Sequence, residues 1–224
     1  MAAGNKNLNN LAAIIAAAGY SSRMKSFKAL LPLGESTVVE NAVNIFLESG
    51  IKDISVVTGH RADDLKPVLE KLGVKFIYNA NFAEGMFSSL TAGIKSLAST
   101  VEGFFLLPVD NPIVNKETIE KLCHAFFTTD LSIFYPKYKA MRGHPPLISS
   151  RYIPEILTWE GTGGMRAILE KYEKDALDIE VEDRGVLLDM DTPEDYQTML
   201  EYYAYLQNTS RMTNTWRVEN AKIQ

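Results

Sequence analysis

The chain has 224 residues, 46% of them hydrophobic and 23% charged, which is the composition of a soluble globular protein with one good core. Its net charge of −5 and the absence of a basic run argue against nucleic-acid binding, which needs clustered Lys and Arg. It has a single cysteine, no apolar stretch of membrane-spanning length and no secretory signal, so a cytoplasmic protein without membrane attachment or disulfides is expected.

Strand and helix signals alternate along the chain. The apolar run at residues 11–16 predicts a central strand covered on both faces, and helical periodicity follows at residues 37–48. Further strands are predicted at 54–58, 74–78, 104–109, 131–135 and 186–190, and further helices at 63–72, 88–97, 116–127, 152–159, 165–172 and from residue 192 to about 206. The alternation predicts one α/β domain over residues 8–207, with a mainly parallel sheet between helices, and a C-terminal tail or linker at 208–224.

The loop after the first predicted strand is the first candidate site, because ligands of such sheets bind at the carboxyl ends of strands. Small residues at positions 16–19 let the backbone approach a ligand closely. Arg23, Lys25 and Lys28 then place three cations in one short loop, which suits a triphosphate. Neither a P-loop nor a dinucleotide fingerprint is present, so loop chemistry alone leaves a solvated basic turn equally open.

Carboxylates follow two other predicted strands. Asp110 ends the strand at 104–109, and Asp189 and Asp191 follow the one at 186–190. Asp110 alone is more readily explained as a turn former, but a second acid at another strand end favours a shared metal site. Magnesium takes one or two protein carboxylates, with water and substrate phosphates completing its shell.

Six segments together carry a family resemblance. Residues 17–28 resemble the A-A-G-x-S-x-R-M-G-x-x-K signature of MobA-like NTP transferases, in particular the molybdenum cofactor cytidylyltransferase branch. Five further segments are similar to family motifs in the same order, at residues 85–90, 107–112, 143–146, 161–166 and 189–195. The sequence departs from the family pattern at Lys25, where Gly is common, and at Thr162, which replaces an Asp.

The resemblance implies a three-layer α/β/α fold with a mainly parallel mixed sheet, of the nucleotide-diphospho-sugar transferase (GT-A-like) type. It implies a Mg²⁺-dependent enzyme that transfers a nucleoside monophosphate from an NTP to a phosphorylated small molecule and releases pyrophosphate. Arg23, Lys28 and Asp110 are then the catalytic residues, and Asp110 and Asp191 the metal ligands, with Asp191 preferred to Asp189. The nucleotide-binding residues it implies are Ala17, Ala18, Gly19, Ser21, Arg23, Lys28, Gly85, Ser88 and Ser89, and the acceptor-binding candidates are His144 and Arg166.

The choice of substrate rests on the resemblance. Ala18 stands where guanylyl relatives tend to carry Gly, which leaves less room and favours CTP, with molybdenum-loaded molybdopterin as acceptor. A sugar phosphate or phosphocholine acceptor stays open, and the loop at 137–146 with Lys137, Lys139 and Arg142 is expected to discriminate between these acceptors. A non-catalytic accessory protein that binds nucleotide or cofactor also stays open, as does an oligomer formed through aromatic helix residues.

Overall fold

The computed structural model describes residues 7–24 and 26–221, and of residues 210–221 it describes the backbone alone. Lys25, the first departure from the family motif, lies outside the described residues. The strands are β1 Leu11–Ala17, β2 Pro32–Leu33, β3 Ser36–Thr37, β4 Asp53–Thr58, β5 Lys75–Tyr78, β6 Gly103–Pro108, β7 Ile133–Tyr138, β8 Met141–Arg142, β9 Leu147–Ser149 and β10 Ala176–Glu180. The α-helices are α1 Val38–Glu48, α2 Ala62–Leu72, α3 Met86–Lys95, α4 Lys116–Thr128, α5 Ile153–Leu157, α6 Gly164–Glu170 and α7 Pro193–Ala221.

The main sheet has eight strands. Seven of them follow the order β10-β7-β9-β6-β1-β4-β5, and β8 pairs with β7 beside this path. Strand β9 runs antiparallel between β6 and β7, β8 is antiparallel to β7, and the other pairings are parallel. The predicted mainly parallel mixed sheet is therefore confirmed.

Strand β1 lies at the centre of the sheet and supplies both cores. Leu11, Ala13 and Ile15 face the helices α1, α2, α4 and α7, whereas Ala12 and Ile14 face α3, α5 and α6. All five side chains are fully buried, as expected for a strand covered on both faces. The predicted three-layer α/β/α architecture is confirmed by these two separate cores.

The start of α1 is fixed by a reciprocal cap. The Thr37 hydroxyl accepts a hydrogen bond from the Glu40 backbone N–H at 3.4 Å, and the Glu40 carboxylate accepts one from the Thr37 backbone N–H at 2.7 Å. The helix begins at Val38, one residue after the predicted start. Local sequence thus suffices to place this element.

One expectation about the second half of the chain is wrong, and the short strands β8, β9 and β10 there were not predicted. The predicted strand at 186–190 is wrong, because Asp183 accepts the Gly185 N–H at 2.9 Å and residues Arg184–Leu187 form a 3₁₀ helix. The outer strand of the sheet is instead β10, which was not predicted, and the short β9 was also missed.

The last helix is longer than predicted. Helix α7 continues to Ala221 instead of ending near residue 206. The tail or linker assigned to residues 208–224 stays a prediction, and residues 222–224 lie outside the described residues. None of the described helices combines the length and the apolar character that crossing a bilayer requires.

Candidate active site

The candidate site lies where the order of strands reverses. The chain passes from β1 to β4 and β5 on one side of β1, and then to β6 on the other side. Ala16 and Pro108 pair at the carboxyl ends of β1 and β6, and the Val109 N–H donates to the Ala16 carbonyl at 3.0 Å. The loops that follow these two strands therefore start side by side, at the position where α/β sheets bind ligands.

The loop after β1 folds back on itself. Ala17 and Ala18 are buried, and Gly19 is exposed, with no atom within 4 Å of where a Cβ would lie. The Ser21 carbonyl accepts the Met24 N–H at 3.0 Å, and the Ser21 hydroxyl accepts the Lys28 N–H at 3.1 Å. These bonds return Lys28 to the edge of the sheet from which the loop departed.

Four charged side chains meet at this edge. The Lys28 ammonium donates to Asp110 Oδ2 at 3.1 Å and to Asp191 Oδ1 at 2.9 Å. Arg23 Nη2 lies 2.9 Å from Asp191 Oδ2. The Lys28 side chain is only 10% exposed, whereas that of Arg23 is 69% exposed. The hydrogen bond from Lys28, its charge and that of Arg23 hold the pKa of Asp191 below its usual value.

Asp191 is fixed by the start of α7. The Asp195 carboxylate accepts hydrogen bonds from the backbone N–H groups of Asp191 at 3.1 Å and Thr192 at 2.8 Å. The Thr192 hydroxyl in turn accepts the Asp195 N–H at 3.2 Å. The Thr192 hydroxyl also donates to the Asp195 carboxylate at 2.8 Å, and this bond, together with the two backbone N–H groups, lowers the pKa of Asp195. The motif at residues 189–195 is therefore a helix cap that holds Asp191 toward Lys28.

One cavity adjoins the charged cluster at Asp110, and a second cavity adjoins the first. The first, of about 340 Å³, is lined by Asp110, Asp189 and His144 among others. The second, of about 650 Å³, is lined by His144 and Arg166 and includes the apolar side chains of α3 and α6. Both cavities share Met86, Pro108, Arg142, Gly143 and His144. The two acceptor-binding candidates thus line one cavity that continues toward Asp110.

The cations near this cavity already have acidic partners. Arg142 binds Glu173 at 2.8 Å and Asp178 at 2.5 Å, and its guanidinium lies 4.4 Å from the centroid of the Tyr135 ring. Lys137 lies 3.3 Å from Glu180 and 3.5 Å from Asp178.

The two acceptor-binding candidates are both exposed to solvent, and they differ in their charged neighbours. Arg166 is 89% exposed and pairs with Glu170 one helical turn away, at 2.8 Å. Desolvation lowers the pKa of His144, although the charges of Asp110 and Asp189 oppose this. His144 therefore favours its neutral form.

The serines predicted to bind the nucleotide take part in a turn. Asn79, which is buried at the end of β5, donates to the hydroxyls of Ser88 at 2.9 Å and Ser89 at 3.1 Å. The Ser88 hydroxyl lies 2.9 Å from the Gly85 carbonyl, and Gly85 has φ +102°. Ser88 lines a different cavity, beside Trp159. The structure does not bring these serines into the charged cluster, and sequence reasoning missed Asn79, a polar residue directly after a strand.

Comparisons with known proteins identify the family and the fold of the chain. The sequence pattern of the MobA-like NTP transferase domain matches residues 13–176. The chain is 29% identical over 191 residues to the molybdenum cofactor cytidylyltransferase of Escherichia coli K12, covering 85% of this chain and 95% of that protein. It is 27% identical over 208 residues to the nicotine blue oxidoreductase of Paenarthrobacter nicotinovorans, covering 88% of this chain and 100% of that protein. A solved nucleotidyl transferase from Methanothermobacter shares the fold, with a TM-score of 0.76 and 22% sequence identity. The superposition covers 88% of this chain and 98% of that one.

Proposed function

Since the chain belongs to the MobA-like NTP transferase family, we propose that it transfers CMP from CTP to a phosphorylated acceptor, the molybdenum-loaded form of molybdopterin, and releases pyrophosphate. The observation that carries this proposal is the cluster of Arg23, Lys28, Asp110 and Asp191 at the strand-order reversal, next to a cavity. We assign the catalytic domain to residues 8–207 and keep residues 208–224 as a tail or linker.

The proposed reaction exchanges one phosphate ester bond for another. A phosphate oxygen of the acceptor attacks the α-phosphorus of CTP, and a new oxygen–phosphorus bond forms. The bond from the α-phosphorus to the bridging oxygen breaks, and the electron pair leaves with pyrophosphate. Because the attacking phosphate is already anionic at neutral pH, no general base is needed, and catalysis consists of positioning and charge stabilisation.

Lys28 and Arg23 are proposed to hold the phosphates of CTP. Lys28 presents a compact ammonium from a buried position, and Arg23 presents an exposed guanidinium that can form two parallel hydrogen bonds. Ala17, Ala18, Gly19 and Ser21 are proposed to offer backbone groups to the nucleotide, because Gly19 has open space beside it. We also propose Gly85, Ser88 and Ser89 as nucleotide-binding residues. They form the turn at the start of α3, and Met86 in this turn lines the cavity beside Asp110.

Asp110 and Asp191 have the chemistry of a magnesium site. One oxygen of each carboxylate lies about 3 Å from the same Lys28 nitrogen, so the two oxygens are no more than about 6 Å apart. Among residues 7–24 and 26–221, no group of three or more His, Cys, Asp and Glu side chains is arranged to hold a metal. The donor set therefore fits a cation that takes two carboxylates and completes its shell with phosphates and water. Bound there, Mg²⁺ would stabilise charge on the phosphate oxygens.

The preference for CTP and for a molybdenum cofactor has two supports. Ala18 is buried and fills space that glycine would leave open. The relative from Escherichia coli that covers 85% of the chain is a molybdenum cofactor cytidylyltransferase. The cavity of about 650 Å³ lined by His144 and Arg166 is large enough for a small-molecule acceptor.

A second acceptor class is favoured by one observation. Arg142 and Lys137 are paired with Glu173, Asp178 and Glu180, so fewer cations are free to hold a strongly anionic acceptor. A sugar phosphate or phosphocholine carries less negative charge and would need fewer unpaired cations in its binding site. We therefore keep a nucleotidyltransferase for such an acceptor as the second candidate.

The proposal is tested by pyrophosphate release with Mg²⁺ and each of the four NTPs, with and without molybdenum cofactor, phosphocholine or a sugar phosphate. Asp110→Ala should abolish release. Asp53→Ala, which breaks the surface ion pair with Lys75, is the matched control and should leave it intact. Release with CTP that depends on molybdenum cofactor supports the first candidate, and release that depends on another acceptor supports the second. No release with any NTP would overturn both.

A further inference from the structure

The loops that carry Asp110 and Asp191 are joined by contacts that do not involve Lys28. One loop, residues 109–115, follows β6, and the other, residues 183–191, precedes α7. Two buried side chains, Asn111 and Asp183, cross from one loop to the other.

Asn111 makes the first of these contacts. It follows Asp110 directly and is only 3% exposed. Its Nδ2 donates to the Leu188 carbonyl at 2.8 Å, across 77 residues of sequence. The backbone on both sides of this bond thus leads, within three residues, to a proposed metal ligand.

Asp183 makes the second contact from the opposite loop. Its Oδ2 accepts the Asn115 N–H and the Thr118 hydroxyl, both at 2.8 Å, and its Oδ1 accepts the Gly185 N–H at 2.9 Å. The carboxylate is 2% exposed, and no cation pairs with it in the described part of the chain. Burying a carboxylate is costly unless its oxygens accept hydrogen bonds, and here three donors meet that need.

The choice of Asp183 as a cap for α4 is informative. Asn115 occupies the N-cap position of α4, and Asn is among the best residues for capping a helix with its own side chain. Its side chain makes no such bond, and the Asp183 carboxylate, 68 residues away, accepts the N–H of Asn115 itself and the hydroxyl of Thr118 in the first turn of α4. These bonds run from one loop to the start of the helix that follows the other loop, and so tie the two loops together.

Backbone packing strengthens the connection. A Cβ at Gly185 would lie 1.6 Å from the Ile113 carbonyl oxygen, so the two loops touch through their main chains. The His144 N–H donates to the Val186 carbonyl at 2.8 Å, which brings the loop before β9 into the same unit.

We propose that Asn111 and Asp183 are positioning residues that fix the separation of Asp110 and Asp191, and thereby set the affinity of the site for its divalent cation. This inference rests on the proposed function. Side chains that orient metal ligands from outside the coordination shell typically change metal affinity by about 10- to 100-fold when they are replaced.

The test measures binding of Mn²⁺ to the whole chain in the presence of a non-hydrolysable α,β-methylene analogue of CTP. Asn111→Ala should raise the Kd for Mn²⁺ about tenfold. Asp183→Asn keeps the shape and one acceptor oxygen, so it should fold and show a smaller rise. The matched control is Ser49→Ala, which removes another buried bond from a side chain to a backbone carbonyl, that of Ser49 to Ile45 at 2.7 Å, at the end of α1 that precedes the amino end of β4.

A second readout separates positioning from simple loss of stability. In Asn111→Ala the Mg²⁺ concentration for half-maximal pyrophosphate release should rise, and saturating Mg²⁺ should restore most of kcat. Unchanged Mn²⁺ affinity in folded Asn111→Ala and Asp183→Asn would overturn the inference alone, and so would an equal rise in Ser49→Ala. Failure of the wild type to bind Mn²⁺ with the nucleotide analogue would overturn the proposed function and the inference together.

Discussion

Replacing Lys28 with methionine tests the electrostatics of the site without assuming any substrate. Methionine keeps the length and apolar stem of the side chain and removes the ammonium that Asp110 and Asp191 share. The two carboxylates are then left facing each other, with Arg23 as the remaining cation, on Asp191.

The size of the effect follows from burial. Removing one partner of a fully buried ion pair costs about 3–5 kcal/mol, whereas exposed pairs are worth about 0–1 kcal/mol. The Lys28 side chain is 10% exposed, but those of Asp110 and Asp191 are 21% and 31% exposed, so solvent screens part of the interaction. We expect a loss of about 2 kcal/mol in the free energy of unfolding at pH 7, or roughly 4–8 °C in Tm.

The loss should depend on pH. Lys28 lowers the pKa of Asp191 in the folded state, so this contribution to stability is complete above the unfolded pKa of about 3.9 and fades as the pH falls through the folded pKa. The difference between wild type and Lys28→Met should therefore be constant from pH 7 to about pH 5 and shrink below it.

Urea unfolding of both proteins at pH 7 and pH 3.5 measures this difference. Lys75→Met is the control, because Lys75 and Asp53 form a surface pair at 2.6 Å and its removal should cost about 1 kcal/mol or less. If Lys28→Met is as stable as Lys75→Met, or if its deficit is the same at both pH values, the reasoning about a shared ammonium is refuted.

Three further predictions concern other parts of the site. Desolvation lowers the pKa of His144 in the folded state, so the free energy of unfolding should decline as the pH falls below about 6.5, the pKa of the unfolded side chain. In urea unfolding at pH 7.5 and 5.5, His144→Gln should show a smaller difference between the two pH values than the wild type does. Gly85→Ala should lose about 1–3 kcal/mol because φ is +102°, whereas Gly19→Ala, with open space for a Cβ, should not lower Tm. Arg166→Ala should leave Tm unchanged and raise the KM of the acceptor but not of the NTP; a rise in both would contradict an acceptor role.

Local signals in the sequence predict most of the fold. The apolar run of β1 and the Thr37–Glu40 cap of α1 are visible within a few residues, and both elements lie where expected. Strand β10 was missed because it lies at the edge of the sheet, where its side chains are only partly buried and apolar alternation is weak. The apolar residues from Val186 onward predict a strand because a partly buried 3₁₀ turn has the same composition.

The clustering of the candidate site residues was also predictable in part. Charged residues after predicted strands pointed to Lys28, Asp110 and Asp191, and the structure brings all three together, although the strand predicted before Asp191 does not form. The sequence could not show that Lys28 bridges the two acids, since their spacing depends on how distant loops meet. Asn111 and Asp183 carried no signal for the same reason: the hydrogen bonds that join their two loops connect residues 65 to 77 positions apart along the chain.

The reversed direction of β9 has a consequence for how such proteins diversify. Because β9 runs antiparallel between β6 and β7, the chain turns back after β7 through the short β8, and residues 142–144 of this connection line the cavity. The side chains of Arg142 and His144 can be exchanged without shifting the register of β6, β7 and β9, whose pairing uses the backbone. Evolution can thus vary what the cavity accepts while the half of the sheet that carries Lys28 is inherited unchanged.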